Sequence, residues 1–238
     1  MQSFLAILHK KRYTRLQGLE DLEAALQYDK AALDNTSPDH SDLVDKQAAL
    51  AVSYTDCYRR LGKLDDLEAA LKYTQAALNN TSLQHPRIAD RQAALAASYT
   101  DCYQRLGKLD DLEAALKYDK AALINTSADH PDLADRYTAL AASYTDCYQR
   151  LGKLDDLEAA LKHDKAALDS TSSEHPKLAD RQAALAVSYS DCYRRLGNLD
   201  DLEAALKYKQ AALDNTPADH PKLADRQAAL GISYLDHY

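Results

Sequence analysis

The segment LGKLDDLEAALKY, residues 61–73, decides the fold because the chain repeats it almost letter for letter. It returns unchanged at residues 106–118, with one substitution each at 151–163 and 196–208, and in a weaker form at 16–28. A strict internal period of this length predicts an array of stacked supersecondary units. The spacing is 45 residues throughout, so we place the repeat starts at Leu16, Leu61, Leu106, Leu151 and Leu196, with residues 1–15 as a partial repeat.

Each repeat contains two segments with helical periodicity. In the second repeat, the first helix is predicted from about Asp65 to Asn79, because its apolar residues recur at steps of three and four. The second helix is predicted from about Pro86 to Arg105, with Pro86 at a first helical position. One helix pair cannot bury both apolar faces alone, whereas stacked pairs bury them against their neighbours. We therefore expect an all-α solenoid of five helix hairpins plus a C-terminal helix, forming a single domain over residues 1–238.

Composition and charge exclude several classes of protein. The net charge is −8, and the basic residues are interleaved with acids, so no basic stripe suggests a nucleic-acid partner. No apolar run is long enough for a membrane span, and the N-terminal charges follow the short apolar segment, where a secretory signal would carry them first. We expect a cytoplasmic protein with no membrane partner.

No set of residues in the sequence suggests catalysis, a metal or a cofactor. The four cysteines lie one per repeat, a spacing that favours apolar packing over metal binding or disulfides. One histidine recurs before each second helix, and we interpret it as a capping or loop hydrogen-bonding residue. These histidines are His40, His85, His130, His175 and His220. We predict a protein that is not an enzyme.

The segment ALAASYTDCYQRLGKLDDLEAALKYDKAAL, residues 94–123, resembles a tetratricopeptide repeat. The positions that carry the resemblance are Leu95, Tyr99, Gly107, Ala115 and Ala122. The 45-residue unit is longer than the standard repeat of about 34 residues. It is more similar to the long fungal and bacterial arrays that accompany CHAT domains or signalling NTPases. The resemblance implies a right-handed superhelix whose second helices line a concave groove that binds extended peptides or helices.

Differences between the copies concentrate on one arc of the second helix, which we interpret as the groove surface. A free exchange of small apolar residues at a loosely packed contact is the alternative for its Ala and Val positions. Tyr137, which replaces Gln in the other copies, is added as a contact specific to one repeat. The candidate groove residues are Val52, Thr55, Arg59, Ala97, Thr100, Gln104, Tyr137, Ala142, Thr145, Gln149, Val187, Ser190 and Arg194.

One position of the first helix places polar or charged residues inside the apolar arc. Its occupants are Asp29, Thr74, Asp119, Asp164 and Lys209. Charges near a core are normally paired. We therefore expect a partner such as Arg136 or Arg181, with an orientation into an opening as the alternative.

The sequence favours a non-enzymatic scaffold that binds a protein or peptide partner along the groove. A first alternative is a self-associating array that joins end to end through Leu5 at one end and Ile232 and Leu235 at the other. A second alternative is the sensor part of a larger signalling protein, and a third is a consensus-derived sequence.

Overall fold

The computed structural model describes residues 1–237, of which residues 235–237 are described by their backbone alone. Over this range the protein has eleven α-helices and no strand, which confirms the predicted all-α fold with two helices per repeat. The helices are α1 Gln2–Leu16, α2 Leu19–Asp34, α3 Leu43–Leu61, α4 Leu64–Asn79, α5 Ile88–Leu106, α6 Leu109–Ile124, α7 Leu133–Leu151, α8 Leu154–Asp169, α9 Leu178–Leu196, α10 Leu199–Asp214 and α11 Leu223–His237. The first helices of the repeats are α2, α4, α6, α8 and α10; the second helices are α3, α5, α7, α9 and α11, and α1 corresponds to a second helix.

The second helix starts two residues later than the sequence predicts, at Ile88 and not at Pro86. Residues 85–87 form a turn in which the Ile88 N–H donates to the His85 carbonyl at 2.9 Å. The Nδ1 atom of His85 accepts a hydrogen bond from the Arg87 N–H at 3.1 Å. The imidazole thus binds a backbone donor of the loop, as expected for this recurrent histidine.

The tight turn between a second helix and the next first helix depends on a residue in the left-handed conformation. Gly62, Gly107, Gly152 and Gly197 have φ angles of 68° to 70°, and Gln17 adopts the same conformation in the first repeat with φ 57°. Only glycine adopts this conformation without a steric cost from its Cβ. The LGKL segment is therefore the signal that sets the short connection.

Leucine and alanine pack the first helices against the neighbouring second helices. Leu67 and Ala70 of α4 are about 1–2% exposed, and Leu95 and Ala96 of α5 are fully buried. Alanine lets the helices approach closely, and stacked aromatic rings close the side of each pair. Tyr99 stacks on Tyr118 with ring centroids 5.9 Å apart and nearly parallel planes.

Two compact units can be distinguished, residues 1–125 and residues 126–238. Unit 1 contains α1 to α6 and unit 2 contains α7 to α11. Within each unit the α-helices pack in chain order, each against its sequence neighbours. No helix over the described range combines the length and apolarity needed to cross a membrane.

Charged side chains connect successive second helices within each unit. In unit 2 the buried Arg226 of α11 donates to Asp180 of α9 at 2.6 Å and also binds Thr216. Arg181 of α9 binds Asp135 of α7 in the same way, and Arg91 of α5 binds Asp45 of α3 in unit 1. A nearly buried guanidinium held by a carboxylate from the preceding repeat fixes the register between repeats.

Candidate functional site

The predicted groove positions have the same exposure pattern on each of the second helices that carry them. On α3, α5, α7 and α9 the position of Val52 is exposed, that of Thr55 is half-buried and that of Arg59 is exposed. The Thr55 hydroxyl donates a hydrogen bond to the Ala51 carbonyl, one turn earlier on the same helix, at 3.0 Å. The hydroxyls of Thr100 and Thr145 make the equivalent bond on their own helices. Within each unit, small side chains at these positions leave hollows between consecutive second helices.

In unit 1 a hollow of about 220 Å³ lies between α3 and α5. Val52, Thr55, Arg59 and Ala97 of the predicted groove line it, and Thr74 of α4 forms part of its floor. The Arg59 guanidinium crosses to the next repeat and donates to Asp101 at 3.3 Å. The positive and negative charges at the mouth of this hollow thus neutralise each other.

Similar hollows lie in unit 2, two of them with volumes of about 240 Å³ each. The hollow between α7 and α9 is lined by Ala142, Thr145 and Val187 of the predicted groove, with Asp164 of α8 in the floor position. The hollow between α9 and α11 is lined by Ser190 and Arg194 of the predicted groove and by Ile232, with Lys209 of α10 in that position. Gln104 and Gln149 are exposed at the position that corresponds to Arg59.

Thr74, Asp164 and Lys209, which are polar residues inside the apolar arc, form the floors of these three hollows, and Asp29 occupies the same position in the first repeat. They bind a serine of the following second helix and not the arginines expected from the sequence. The observed pairs are Asp29–Ser53 at 2.7 Å, Thr74–Ser98 at 3.1 Å, Asp164–Ser188 at 2.6 Å and Lys209–Ser233.

The expected arginine partners are engaged elsewhere. Arg181 is bound by Asp135 and Thr171 because its helix turns it toward the preceding repeat. Arg136 lies 3.7 Å from the Asp132 carboxylate, at the start of its own helix. The sequence prediction of an arginine partner at the floor is therefore wrong for Arg181.

The hollow between α7 and α9 has two carboxyl groups in its lining, those of Asp164 and Asp146. Asp164 is 6% exposed and accepts a hydrogen bond from the Ser188 hydroxyl. Burial raises the pKa of Asp164 to about 6, against a smaller lowering by that hydrogen bond. A second carboxyl in the lining, Asp146, also has a raised pKa because of burial. Both groups therefore lie where a positive charge would be stabilised.

In the first repeat the equivalent carboxylate already holds a cation. Lys10 of α1 lies at the position of Thr55, and its ammonium group is 2.7 Å from Asp29. The same ammonium donates to the Ala49 carbonyl of α3 at 3.0 Å. A lysine side chain thus fits a floor of this type when it enters from the second-helix surface.

Tyr137 lies away from these hollows. Its ring stacks on His163 of α8 with centroids 5.9 Å apart, and Tyr144 stacks on the same imidazole at 5.7 Å. In other repeats a Gln at this position bonds an Asn 33 residues later, as Gln182 does with Asn215 at 3.1 Å. Tyr137 replaces the Gln of other repeats and stacks on His163, which replaces a Tyr. The sequence alone does not indicate that these two substitutions are in contact.

The predicted end contacts have different environments. Leu5 is half-buried and lines a shallow hollow on α1 together with Leu8 and Arg12. Ile232 is 60% exposed on α11. The side chain of Leu235 falls outside the described residues.

All four cysteines are packed in the interior. Cys57, Cys102, Cys147 and Cys192 are 2–4% exposed. Burial raises the pKa of the Cys57, Cys102 and Cys192 thiols to about 11, with nearby aspartates adding to the effect. Thiols in this environment are poor nucleophiles.

Comparison with known proteins finds similarity at the level of structure. No protein-family model and no curated protein sequence matches the chain. A thermophilic tetratricopeptide repeat (TPR) protein of Thermus thermophilus has a TM-score of 0.61 at 20% identity, over 99% of this chain and 100% of that chain. A Podosopora anserina putative kinesin light chain with nearly identical TPR-like repeats has a TM-score of 0.62 at 16% identity, over 87% of this chain and 93% of that chain.

A third similar structure is YrrB, a TPR protein with an unusual peptide-binding site. Its TM-score is 0.56 at 17% identity, over 96% of this chain and 92% of that chain. At such low identity the resemblance concerns the fold. The chain therefore has a tetratricopeptide-like helical-repeat fold, built here from 45-residue units.

Proposed function

We propose that this chain is a non-enzymatic scaffold that binds an extended peptide or a helix of a partner protein along its second helices. The observation that carries the proposal is the line of exposed side chains and hollows between consecutive second helices in each unit. A segment lying across several hollows would make many modest contacts. YrrB, whose fold is similar, is described as having a peptide-binding site, and this supports the same use of the fold here.

The distribution of residue types also supports the proposal. The packed positions are nearly invariant between repeats, whereas the floor and rim of the hollows change from Thr74 to Asp164 to Lys209 and from Arg59 to Gln149. Rigid helices that present a variable lining make a surface that can distinguish one segment from another. A floor carboxylate without a counter-ion, such as Asp164, would only cost free energy in a purely structural array, because burying an unpaired charge is unfavourable.

The test is a selection of displayed random peptides on the full chain, followed by calorimetry of the selected peptides. Replacing Arg59, Gln104, Gln149 and Arg194 together by Ala is expected to weaken their binding at least tenfold while the helical circular dichroism stays unchanged. The matched control replaces the exposed first-helix residues Glu68, Glu113, Glu158 and Glu203 by Gln. Failure to select any peptide, or equal binding by the two variants, would overturn the proposal.

A second candidate is self-association, which the apolar surface of α1 favours. Phe4, Ile7 and Leu8 are 62%, 50% and 46% exposed, and a second copy that covered them would remove this surface from water. In this arrangement Leu5 and the α11 residues Ile232 and Leu235 belong to the contact between copies.

Light scattering coupled to size exclusion tests this candidate. The mass should rise with concentration, and Phe4→Ser with Leu8→Ser should abolish the rise. Leu83→Ser, at a 79% exposed loop leucine, is the control. A constant monomer mass would exclude self-association.

A further inference from the structure

We infer that the hollow between α7 and α9 is a receptor for a lysine side chain of the partner segment, with Asp164 as the group that binds its ammonium. This inference rests on the proposed peptide-binding function and names the chemistry of one partner residue.

The N-terminal part of unit 1 contains an internal template for such a receptor. There the Lys10 ammonium is held by the Asp29 carboxylate at 2.7 Å and by the Ala49 carbonyl at 3.0 Å. The Ser53 hydroxyl donates to the same carboxylate and holds it in place. The chain thus demonstrates, within its own fold, how a lysine that enters from the second-helix surface is bound at a floor carboxylate.

Unit 2 contains the same arrangement of binding groups but has no lysine at the position of Lys10. Three repeats after Asp29, Ala49 and Ser53, the equivalent residues are Asp164, Ala184 and Ser188. All three line the hollow between α7 and α9. The Ser188 hydroxyl donates to Asp164 at 2.6 Å, as Ser53 does to Asp29 at 2.7 Å. The position of Lys10 is taken by Thr145, whose short side chain donates back to the Ala141 carbonyl of its own helix.

The charge of the hollow also favours a cation. Within the described part of unit 2, no lysine or arginine side chain forms an ion pair with Asp164. Asp146 adds a second carboxyl to the lining, and the arginine found at Arg59 in unit 1 is replaced by Gln149. The raised pKa of Asp164 is consistent with a carboxylate that lacks a nearby positive charge in the unbound protein.

Arg194, an arginine at the rim of the next repeat, binds a carboxylate other than Asp164. Asp191 corresponds to the Asp101 that Arg59 binds in unit 1. It is bound instead by Arg194 of its own helix. The charge of Arg194 is therefore neutralised by Asp191 and not by the floor carboxylate Asp164.

The walls of the hollow suit the aliphatic part of a lysine. Ala142, Ala184 and Val187 surround the path from the surface to Asp164. A lysine buries its methylene stem along apolar surface and keeps its ammonium at a polar group. The volume of about 240 Å³ leaves room for the stem and the charged end.

The probe for this site is Nα-acetyl-lysine N-methylamide, titrated into the full chain labelled with nitrogen-15 and carbon-13. We expect saturable shifts of the Ala142, Ala184 and Val187 signals in the millimolar range, as befits a small ligand with one charge contact. The norleucine analogue, which lacks only the ammonium, should bind at least tenfold more weakly. Equal shifts with norleucine, or tighter binding of the arginine analogue, would overturn the assignment of a lysine.

Three variants make the test specific. Asp164→Asn should abolish the lysine-dependent shifts. Thr145→Lys should also abolish them, because its ammonium group would occupy the hollow as Lys10 occupies the equivalent site beside Asp29. Thr145→Ser is the matched control and should bind the probe as the wild type does. Thr145→Lys copies the Lys10–Asp29 pair into unit 2. A lower pKa of Asp164 in this variant, measured at its carboxyl carbon, would show that the new ammonium group reaches the floor. An unchanged pKa of Asp164, or undiminished probe binding in Asp164→Asn, would refute the inference.

The experiment also separates this inference from the proposed function. Selected peptides that bind the array equally well in wild type and Asp164→Asn would refute the lysine receptor and leave the scaffold function intact. A probe that binds at Asp164 while no displayed peptide can be selected would refute the scaffold function and retain the receptor chemistry.

Discussion

The Ser188 hydroxyl donates a 2.6 Å hydrogen bond to the Asp164 carboxylate, and both side chains are almost completely shielded from solvent. The equivalent serines bind a hydroxyl at Thr74 and an ammonium at Lys209. A hydroxyl group both donates and accepts hydrogen bonds. The same serine can therefore bind a negative carboxylate, a neutral hydroxyl or a positive ammonium group at the floor. The packing can therefore stay constant while the charge of each hollow varies.

Asp164 should make stability depend on pH in an unusual direction. Its pKa in the folded protein is about 6, against an ordinary value of 3.8, so the folded state retains a proton that the unfolded chain releases. Stability is then lost as the pH rises from about 4 to about 6. At about 1.36 kcal/mol per pKa unit, the charged group costs on the order of 3 kcal/mol at neutral pH.

We expect Asp164→Asn to raise the free energy of unfolding of the protein by about 2 kcal/mol more at pH 7.5 than at pH 4.5. Urea titrations followed by circular dichroism measure this difference. Asp29→Asn is the control, since it should instead destabilise the protein at pH 7.5 by leaving the partly buried Lys10 without its carboxylate. A pH-independent effect of Asp164→Asn would contradict the explanation.

The ion pair between Asp180 and Arg226 should contribute more to stability than the exposed pair beside it. Arg226 is 8% exposed and binds Asp180 and Thr216, whereas Lys222, which binds the same carboxylate at 3.0 Å, has a 59% exposed side chain. Asp180→Asn should cost about 2–4 kcal/mol because it leaves a buried guanidinium without its counter-ion. Lys222→Ala should cost less than about 1 kcal/mol.

The effect of Asp180→Asn should also disappear in acid. Burial by itself would raise the pKa of Asp180, but the hydrogen bond from Lys222 and the charges of Lys222 and Arg226 lower it below its usual value. The stability contributed by this carboxylate is therefore present above about pH 4 and is lost as the pH falls through its lowered pKa. Comparing urea denaturation at about pH 7 and about pH 2.5 checks this, and equal losses at both pH values would count against the ion pair.

The turn glycines should be replaceable only at a cost in backbone strain. No atom lies within 4 Å of the position that a Cβ would take at Gly152, whose φ is 69°. Gly152→Ala should therefore destabilise the protein by about 1 kcal/mol through its φ angle alone. Gln17→Gly should have the opposite sign and stabilise by up to about 1 kcal/mol, since Gln17 already occupies the left-handed region. Thermal unfolding of both variants measures the two effects, and a loss of stability in Gln17→Gly would show that its backbone is not strained.

The repeat pattern is sufficient to predict the two helices of each 45-residue repeat, because period and amphipathicity are local properties of the sequence. The pairing of side chains between helices is not predictable in the same way. The sequence suggests Arg181 as a partner for the floor, but Arg181 binds Asp135, 46 residues earlier. Which of two polar residues meets a given charge depends on how neighbouring helices are rotated. That rotation is set by the packing of Leu and Ala, and a periodic pattern leaves it undetermined.

Tyr137 illustrates the same limit. Its difference from the Gln of other repeats suggests a groove residue, although its neighbour Thr138 is the residue that lines a hollow. Consecutive residues of a helix point about 100° apart, so a difference between copies does not by itself identify a face. The stack of Tyr137 on His163 pairs an exchange in one repeat with an exchange in the first helix of the next repeat.

The cysteines should be unreactive in the folded protein. At about pH 8 a thiol with a pKa of about 11 carries roughly a hundredfold less thiolate than one with a pKa near 9, and burial further limits access by the reagent. Iodoacetamide should therefore label the native chain at least about 100 times more slowly than the chain unfolded in urea. Peptide mapping by mass spectrometry would assign the rate at each cysteine, and Cys147, equally buried, should be as slow as the other three. Rapid labelling of a single cysteine in the native protein would mean that its helix pair opens locally, and it would refute a purely structural role for that thiol.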